Sequence, residues 1–184
     1  MPPTPEKDPA RDTAVRDTAV RTRRLDLRPL AVADADEMSE VLADPALHSF
    51  IGGAPLSRSE LLARYERLAA GSPDPATVWA NWTVRLRSDG RAAGTVQATV
   101  TDGGRTAEIA WVIGTPWQGR GFAGEAATGL VGLLADRGVG TVLAHIHPEH
   151  TASAAVARAA GLTSTGEEED GEIRWELRLP GAAR

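Results

Sequence analysis

The sequence predicts an α/β domain on a mixed sheet, antiparallel in its first half and completed by a βαβ unit in its second. Three observations carry this. Three successive β-type runs, Val78–Leu86, Ala92–Thr101 and Thr106–Ile113, are joined by Ser88-Asp89-Gly90 and Asp102-Gly103-Gly104, turns that fit hairpins. A helix-period segment then separates the third run from another apolar strand, Thr141–Ile146, as a parallel crossover requires. The chain of 184 residues is 42% hydrophobic, enough for one core without cross-links.

The elements follow in order. Residues 1–20 are rich in Pro, Asp and Arg and repeat Arg-Asp-Thr-Ala-Val at 11–15 and 16–20. So few large apolar groups do not offset ordering entropy, so a disordered tail is expected there, with a single domain over 21–184. Leu25 and Leu27 alternate with charged residues, a half-buried strand ending at Pro29. Two helices follow, each behind a capping-box pattern: Asp34 with Glu37 ahead of Met38, Val41 and Leu42, and Ser57 with Glu60 ahead of Leu61, Leu62, Tyr65 and Leu68. The loop between them carries Gly52, Gly53 and Pro55.

After the three β runs, a helix over 125–137 presents Ala126, Ala127, Leu130, Val131 and Leu134 at core spacing. A short helix over 151–160 is stopped by Gly161. Residues 162–179 read as two strands around an acidic turn. The order is β-α-α-β-β-β-α-β-α-β-β.

Composition narrows the function. With no Cys, a disulfide scaffold, a thiolate metal site and a cysteine nucleophile are all excluded. A formal charge of −5 argues against a nucleic-acid partner. No apolar run approaches the ~20 residues that span a bilayer, and the N-terminus lacks a signal-peptide core, so a cytoplasmic protein with no membrane partner is expected. His145 and His147 alternate on a strand with His150 nearby, but without an adjacent acidic ligand they predict no metal site.

The chemistry lies in Gln118-Gly119-Arg120-Gly121-Phe122-Ala123-Gly124, between an apolar strand and a helix. Glycines there free backbone N–H groups where the helix dipole favours anions, a cradle for a phosphate or pyrophosphate. A nucleoside-triphosphate loop would need Lys-Ser/Thr after its last glycine, and Glu125 stands there instead. The letters also spell G-x-G-x-x-G. However, the next strand ends in His145-Ile146-His147-Pro148, with no acid for a ribose, and three β runs precede the loop rather than βαβ units.

Residues 118–123 match the Q/R-x-x-G-x-G/A signature of GNAT N-acetyltransferases. The match extends through Ala107-Glu108-Ile109-Ala110-Trp111-Val112-Ile113, Pro148-Glu149-His150-Thr151-Ala152-Ser153 and Ala160-Gly161-Leu162. Over roughly 22–180 the chain resembles the RimJ/RimL-like branch, whose members acetylate protein N-termini, with relatives acting on small amines. The resemblance implies a GNAT-like, mainly antiparallel central sheet with flanking helices, acetyl-CoA as donor, and an amine acceptor.

It also implies roles. Trp111, Val112 and Ile113 receive the pantetheine arm through their backbone, one N–H polarising the thioester carbonyl. Gln118, Gly119, Arg120, Gly121, Phe122, Ala123 and Gly124 bind the pyrophosphate, mostly through N–H groups. Glu108 is the candidate general base, acting through water; its alternative is an exposed strand carboxylate paired with a cross-strand Arg. Ser153 is the candidate proton donor to the thiolate, or a local helix cap, since Tyr65, the one tyrosine, reads as core. His150 stands where the branch carries Asn and remains able to bond the pantetheine. Ala155 and Ala159 stand where basic residues are common, leaving Arg158 to compensate. Amide formation needs a neutral amine, an oxyanion site and a proton for the thiolate; without cysteine, direct attack in a ternary complex is the simpler route.

Acceptor choice is expected from the loop over 48–56 and from the last hairpin, whose Glu167, Glu168, Glu169 and Asp170 would steer a cationic amine. Trp79, Trp82, Trp117 and Trp175 wall that pocket or fill the core. A homodimer is compatible with the sequence. The competing functions are a non-catalytic acyl-CoA sensor and an NAD(P)-dependent oxidoreductase.

Overall fold

Alternation along each strand divides the sheet into one apolar face and one mixed face. In the computed structural model, which describes residues 15–180, the elements are β1 (Val20–Arg21), β2 (Leu25–Pro29), α1 (Ala35–Val41), α2 (Arg58–Ala70), β3 (Val78–Leu86), β4 (Ala92–Thr101), β5 (Thr106–Ile113), α3 (Phe122–Asp136), β6 (Thr141–Ile146), α4 (Thr151–Ala159), β7 (Thr163–Glu169) and β8 (Glu172–Arg178). The sheet order is β1-β2-β3-β4-β5-β6-β8-β7. Every neighbouring pair is antiparallel except β5 with β6. That pair is short: Thr106, Ala107 and Glu108 face Thr141, Val142 and Leu143, and pairing stops there although both strands continue. The sheet is therefore open along the last five residues of β5.

Trp82 and Val84 on β3, Val96 and Ala98 on β4, Ile109 on β5, and Val142 and Ala144 on β6 share the main core with Leu130 and Leu134 of α3. The helical stripe read from the sequence (Ala126, Ala127, Leu130, Val131, Leu134) is buried throughout. On the other face α1 and α2 form a smaller core of Met38, Val41, Leu61 and Tyr65. Glu108 and Ala110, farther along that face, stay exposed. The mixed, mainly antiparallel expectation holds, and one parallel pair is too few for a doubly wound dinucleotide fold.

Three expectations change. Residues 15–20, assigned to a disordered tail, are packed: Val15 is buried, the Trp82 indole N–H donates to the Thr18 carbonyl at 2.8 Å, and Val20 pairs with Leu27. The long-range partner, Trp82, is invisible to local composition. Residues 1–14 of the expected tail lie outside the described residues.

The Asp34–Glu37 capping box does not form. Asp34 instead accepts from Thr83 Oγ1 and Arg85, both at 2.8 Å, and Glu37 accepts from Arg85 at 2.9 Å and the Ala92 N–H at 2.7 Å. The half-buried Arg85 on β3 outcompetes a local cap. The Ser57–Glu60 box does form. Finally, α3 begins three residues earlier than read, at Phe122, which moves the end of the glycine loop into its first turn.

Candidate active site

Gly119 and Gly121 adopt φ of 71° and 77°, a left-handed conformation that side chains with a Cβ resist. These two reversals set the chain onto α3. The first bond of the helix runs from the Glu125 N–H to the Gly121 carbonyl at 3.1 Å, so Phe122, Ala123 and Gly124 keep N–H groups with no intrahelical acceptor. Those donors stand at the positive end of the dipole of a 15-residue helix, the arrangement from which the sequence predicts an anion cradle. Gln118 has a different part. Its N–H donates to the Thr115 carbonyl at 3.2 Å and its side-chain amide to the Ile113 carbonyl at 2.9 Å, fastening the loop to the end of β5.

A carboxylate in this first turn would oppose an anion, and Glu125 is one. The fold neutralises it. Glu125 accepts from Thr22 Oγ1 at 2.7 Å, the Arg24 N–H at 2.7 Å and Arg24 Nε at 2.6 Å. Burial pushes the Glu125 pKa up, but these hydrogen bonds outweigh it and hold the group below its ordinary value. Arg24 also donates to the Arg120 carbonyl at 2.9 Å and stacks 4.5 Å over the Phe122 ring, with Arg120 4.9 Å from the same ring. One side chain from the β1–β2 turn thus supports both the loop and the helix start. Nothing in the sequence around Arg24 singled it out.

A cleft of about 670 Å³ opens where β5 and β6 part. Its walls include Trp111, Val112 and Ile113 on β5, residues Gln118, Gly119 and Gly121–Gly124 of the loop, and His150 and Ser153 at the start of α4. Of the predicted site residues, only Glu108 and Arg120 are not among its walls. Arg120 flanks the loop through Phe122. Glu108 lies at the last paired position of β5, with Oε1 3.0 Å from His145 Nδ1. The expected cross-strand arginine partner is therefore a histidine; His145 does line the cleft, and its Nε2 approaches Glu169 at 3.7 Å. A shallower groove of about 560 Å³ shares Gly121, Gly124, Ala155 and Val156 with the cleft and runs on over Thr128, Gly129 and Ala159.

His150 caps α4: its Nδ1 accepts from the Ser153 N–H at 3.4 Å. Burial, and then the charge of His147, hold the His150 pKa below 6.5, so the ring is a neutral acceptor near neutral pH. The ring stacks on Phe50 at 4.3 Å, which joins the α1–α2 loop to the donor cleft. The cap acceptor is His150 rather than Ser153, whose hydroxyl makes no hydrogen bond among the described residues; Ser153 is among the walls of the cleft. Arg158 is 5.2 Å from the Trp175 ring, which occupies the guanidinium elsewhere. Trp82 and Trp175 are core, whereas Trp117 lines the cleft. Of the acids of the last hairpin, Glu167 lies 3.6 Å from Arg174 and Glu169 3.7 Å from His145; among the described residues Glu172 is the one carboxylate that lines the cleft. Among the described residues no group of His, Asp or Glu is placed to hold a metal ion, and no helix is long and apolar enough to cross a membrane.

A mainly antiparallel sheet opened beside one short parallel pair, with a glycine anion cradle at the opening, defines the architecture of an acyltransferase domain. The model of the acetyltransferase (GNAT) domain matches residues 24–163, and the chain belongs to the GNAT acetyltransferase family, whose members use acetyl-CoA. No curated protein matches it in sequence. Among solved structures, a GNAT-family acetyltransferase from Bacillus anthracis superposes with a TM-score of 0.75 at 19% identity, over 88% of this chain and 98% of that one. RimL, a ribosomal-protein α-N-acetyltransferase in complex with coenzyme A, gives 0.76 at 17% identity over 89% and 99%. A microcin self-immunity acetyltransferase in complex with acetyl-CoA and AMP gives 0.72 at 17% over 86% and 94%. At these identities the likeness establishes the fold.

Proposed function

We propose that this protein is an acetyl-CoA-dependent N-acetyltransferase of the RimJ/RimL-like branch that acetylates a primary amine by direct attack in a ternary complex. The observation that carries the reading is the parting of β5 from β6 directly beside the free N–H groups of the glycine loop. It offers an unpaired strand edge for the pantetheine arm and an anion cradle for the pyrophosphate. The small-residue groove along α3 and α4 takes the nucleotide end, with contacts from Thr128 and backbone rather than from basic side chains.

The neutral amine attacks the thioester carbonyl carbon, a β5 N–H at Trp111–Ile113 stabilises the oxyanion, and the carbon–sulfur bond breaks. Glu108, held by His145, accepts the amine's proton through water. The unbonded hydroxyl of Ser153 supplies a proton to the departing thiolate. Proteins of similar fold include a ribosomal-protein and a microcin self-immunity acetyltransferase, so the fold leaves a protein N-terminus and a small amine both open as acceptor.

The test is a screen of N-terminal peptides, polyamines and aminoglycoside-like amines that follows release of the coenzyme A thiol. Amine-dependent release is the expected result. Tight acetyl-CoA binding with no release from any amine would instead make this a non-catalytic acyl-CoA sensor, and preferential NAD(P)H binding an oxidoreductase.

A further inference from the structure

Behind the donor cleft, on the face covered by α1 and α2, lies a separate cavity of about 140 Å³. It shares Leu47, Ile51 and Val112 with the cleft, so the two spaces meet at the strand to which the thioester is assigned. Its helix-side wall is mostly apolar, with Leu42, Leu61 and Leu68 beside Ser39 and Tyr65. Its sheet-side wall is polar but neutral, with Asn81 and Gln97, which are register partners on β3 and β4. No carboxylate lines it, and its one permanently charged lining residue is the cationic Arg64. Leu56 and Ile51 at its edge are 38% and 60% exposed, an apolar approach from solvent.

These features specify an occupant. A cationic group entering this cavity would lose its hydration, gain no anionic partner and meet Arg64, a combination that costs several kcal/mol. An apolar group would gain roughly 25 cal/mol for each Å² it buries. The volume is near the ~150 Å³ of an engineered apolar cavity that accepts benzene. We propose that this cavity is the subsite for the acceptor's side group, and that the acceptor is a primary amine bearing an uncharged, apolar group about as large as a phenyl ring or a leucine side chain. The proposal rests on the acetyltransferase reading above and adds to it the class of amine. It also moves the choice of acceptor away from the hairpin acids, which are expected from the sequence to steer a cationic amine. Those acids belong to the β7–β8 hairpin, whereas no carboxylate lines the space next to Val112.

Two sources supply this chemistry, a free arylalkyl or branched alkyl amine and a polypeptide whose first residue is Phe or Leu. The experiment compares kcat/KM for phenethylamine and isopentylamine, for peptides beginning with Phe or Leu, and for spermidine and peptides beginning with Lys or Asp. Both apolar groups are expected to exceed the charged ones by about tenfold or more. Preference for the peptides over the free amines identifies a protein N-terminus; the reverse identifies a small molecule.

Leu56→Asp, at an exposed position outside the donor cleft, is expected to lower kcat/KM for the apolar acceptors about fivefold or more and to narrow the gap to spermidine, with KM for acetyl-CoA unchanged. Leu68→Trp, which fills the cavity, is expected to raise KM for the same acceptors without moving that for acetyl-CoA. Turnover that is indifferent to the side group, or fastest with spermidine, overturns the proposal and leaves the acetyltransferase reading standing. Release of thiol from no amine at all overturns both.

Discussion

The donor half of the molecule and the acceptor half are built by different means. Around α3 the site is made of backbone: two left-handed glycines, three free N–H groups and the unpaired edge of β5. Around α1 and α2 it is made of side chains carried by a loop and two helices, with Leu47, Ile51 and Phe50 reaching across to the donor cleft. Backbone recognition requires particular conformations, and few residues adopt them, so it leaves a motif in the sequence. Side-chain recognition can be met by many combinations and leaves none. The donor is common to the family, and the proposed choice of acceptor rests on side chains.

The largest expected effect tests whether the acceptor half depends on its own side-chain network. Arg85 joins Asp34 and Glu37 of the α1 region to β3, and the Asp34 side chain is only 15% exposed. Arg85→Ala leaves that carboxylate without its partner, and a loss of about 3 kcal/mol in unfolding free energy is expected. Denaturant titration measures it; a change under ~0.5 kcal/mol would show that α1 is held by its apolar face alone.

Next is the junction between the halves. Glu108→Gln should lower kcat about a hundredfold while KM for acetyl-CoA stays within about twofold, because the side chain lies outside the walls of the donor cleft. An equal rise in the acetyl-CoA KM would assign Glu108 to binding instead. Within the donor half, Arg24→Ala removes support from the glycine loop and leaves Glu125 opposing the anion. Coenzyme A affinity should fall about tenfold, and Glu125→Gln in the same chain should restore part of it. A double variant that binds no better than Arg24→Ala contradicts the neutralising role.

The smallest effect is a pH dependence. The folded His150 has a lowered pKa, so between that value and 6.5 the unfolded chain binds the proton more readily. Stability is thus complete above pH 6.5 and declines as pH falls below it, by less than about 1.4 kcal/mol for each unit of pKa difference. Comparing melting temperatures at pH 7.5 and 5.5 for the wild type and His150→Asn isolates it: the variant should lose part of the decline.

The same division governs what the sequence made legible. The glycine loop, the hairpin turns and the stripe on α3 were readable because each is a local backbone or periodicity requirement. Even there the helix start shifted from 125 to 122, since the loop glycines permit the first turn to wind. What escaped depends on pairing at a distance. Glu108 meets His145 only because β5 and β6 lie in one register. Asp34 does not form the expected box with Glu37 because Arg85 is 51 residues away in sequence and adjacent in space. Phe50 stacks on His150 from a loop that the sequence marks only by Gly52, Gly53 and Pro55, and Val15 is buried although its surroundings look like a tail.

The claim that the donor is held through the backbone of 119–124 is tested most directly by calorimetric titration of acetyl-CoA and of S-acetylpantetheine, which lacks the pyrophosphate, into the wild type and Gly121→Val. The wild type should bind acetyl-CoA at least about tenfold more tightly than the fragment, a difference typical of hydrogen bonds to a charged group. Gly121→Val, forced out of its left-handed conformation, should bind acetyl-CoA no better than the fragment and leave the fragment's own affinity unchanged. Equal loss of both ligands, or of neither, would contradict the account.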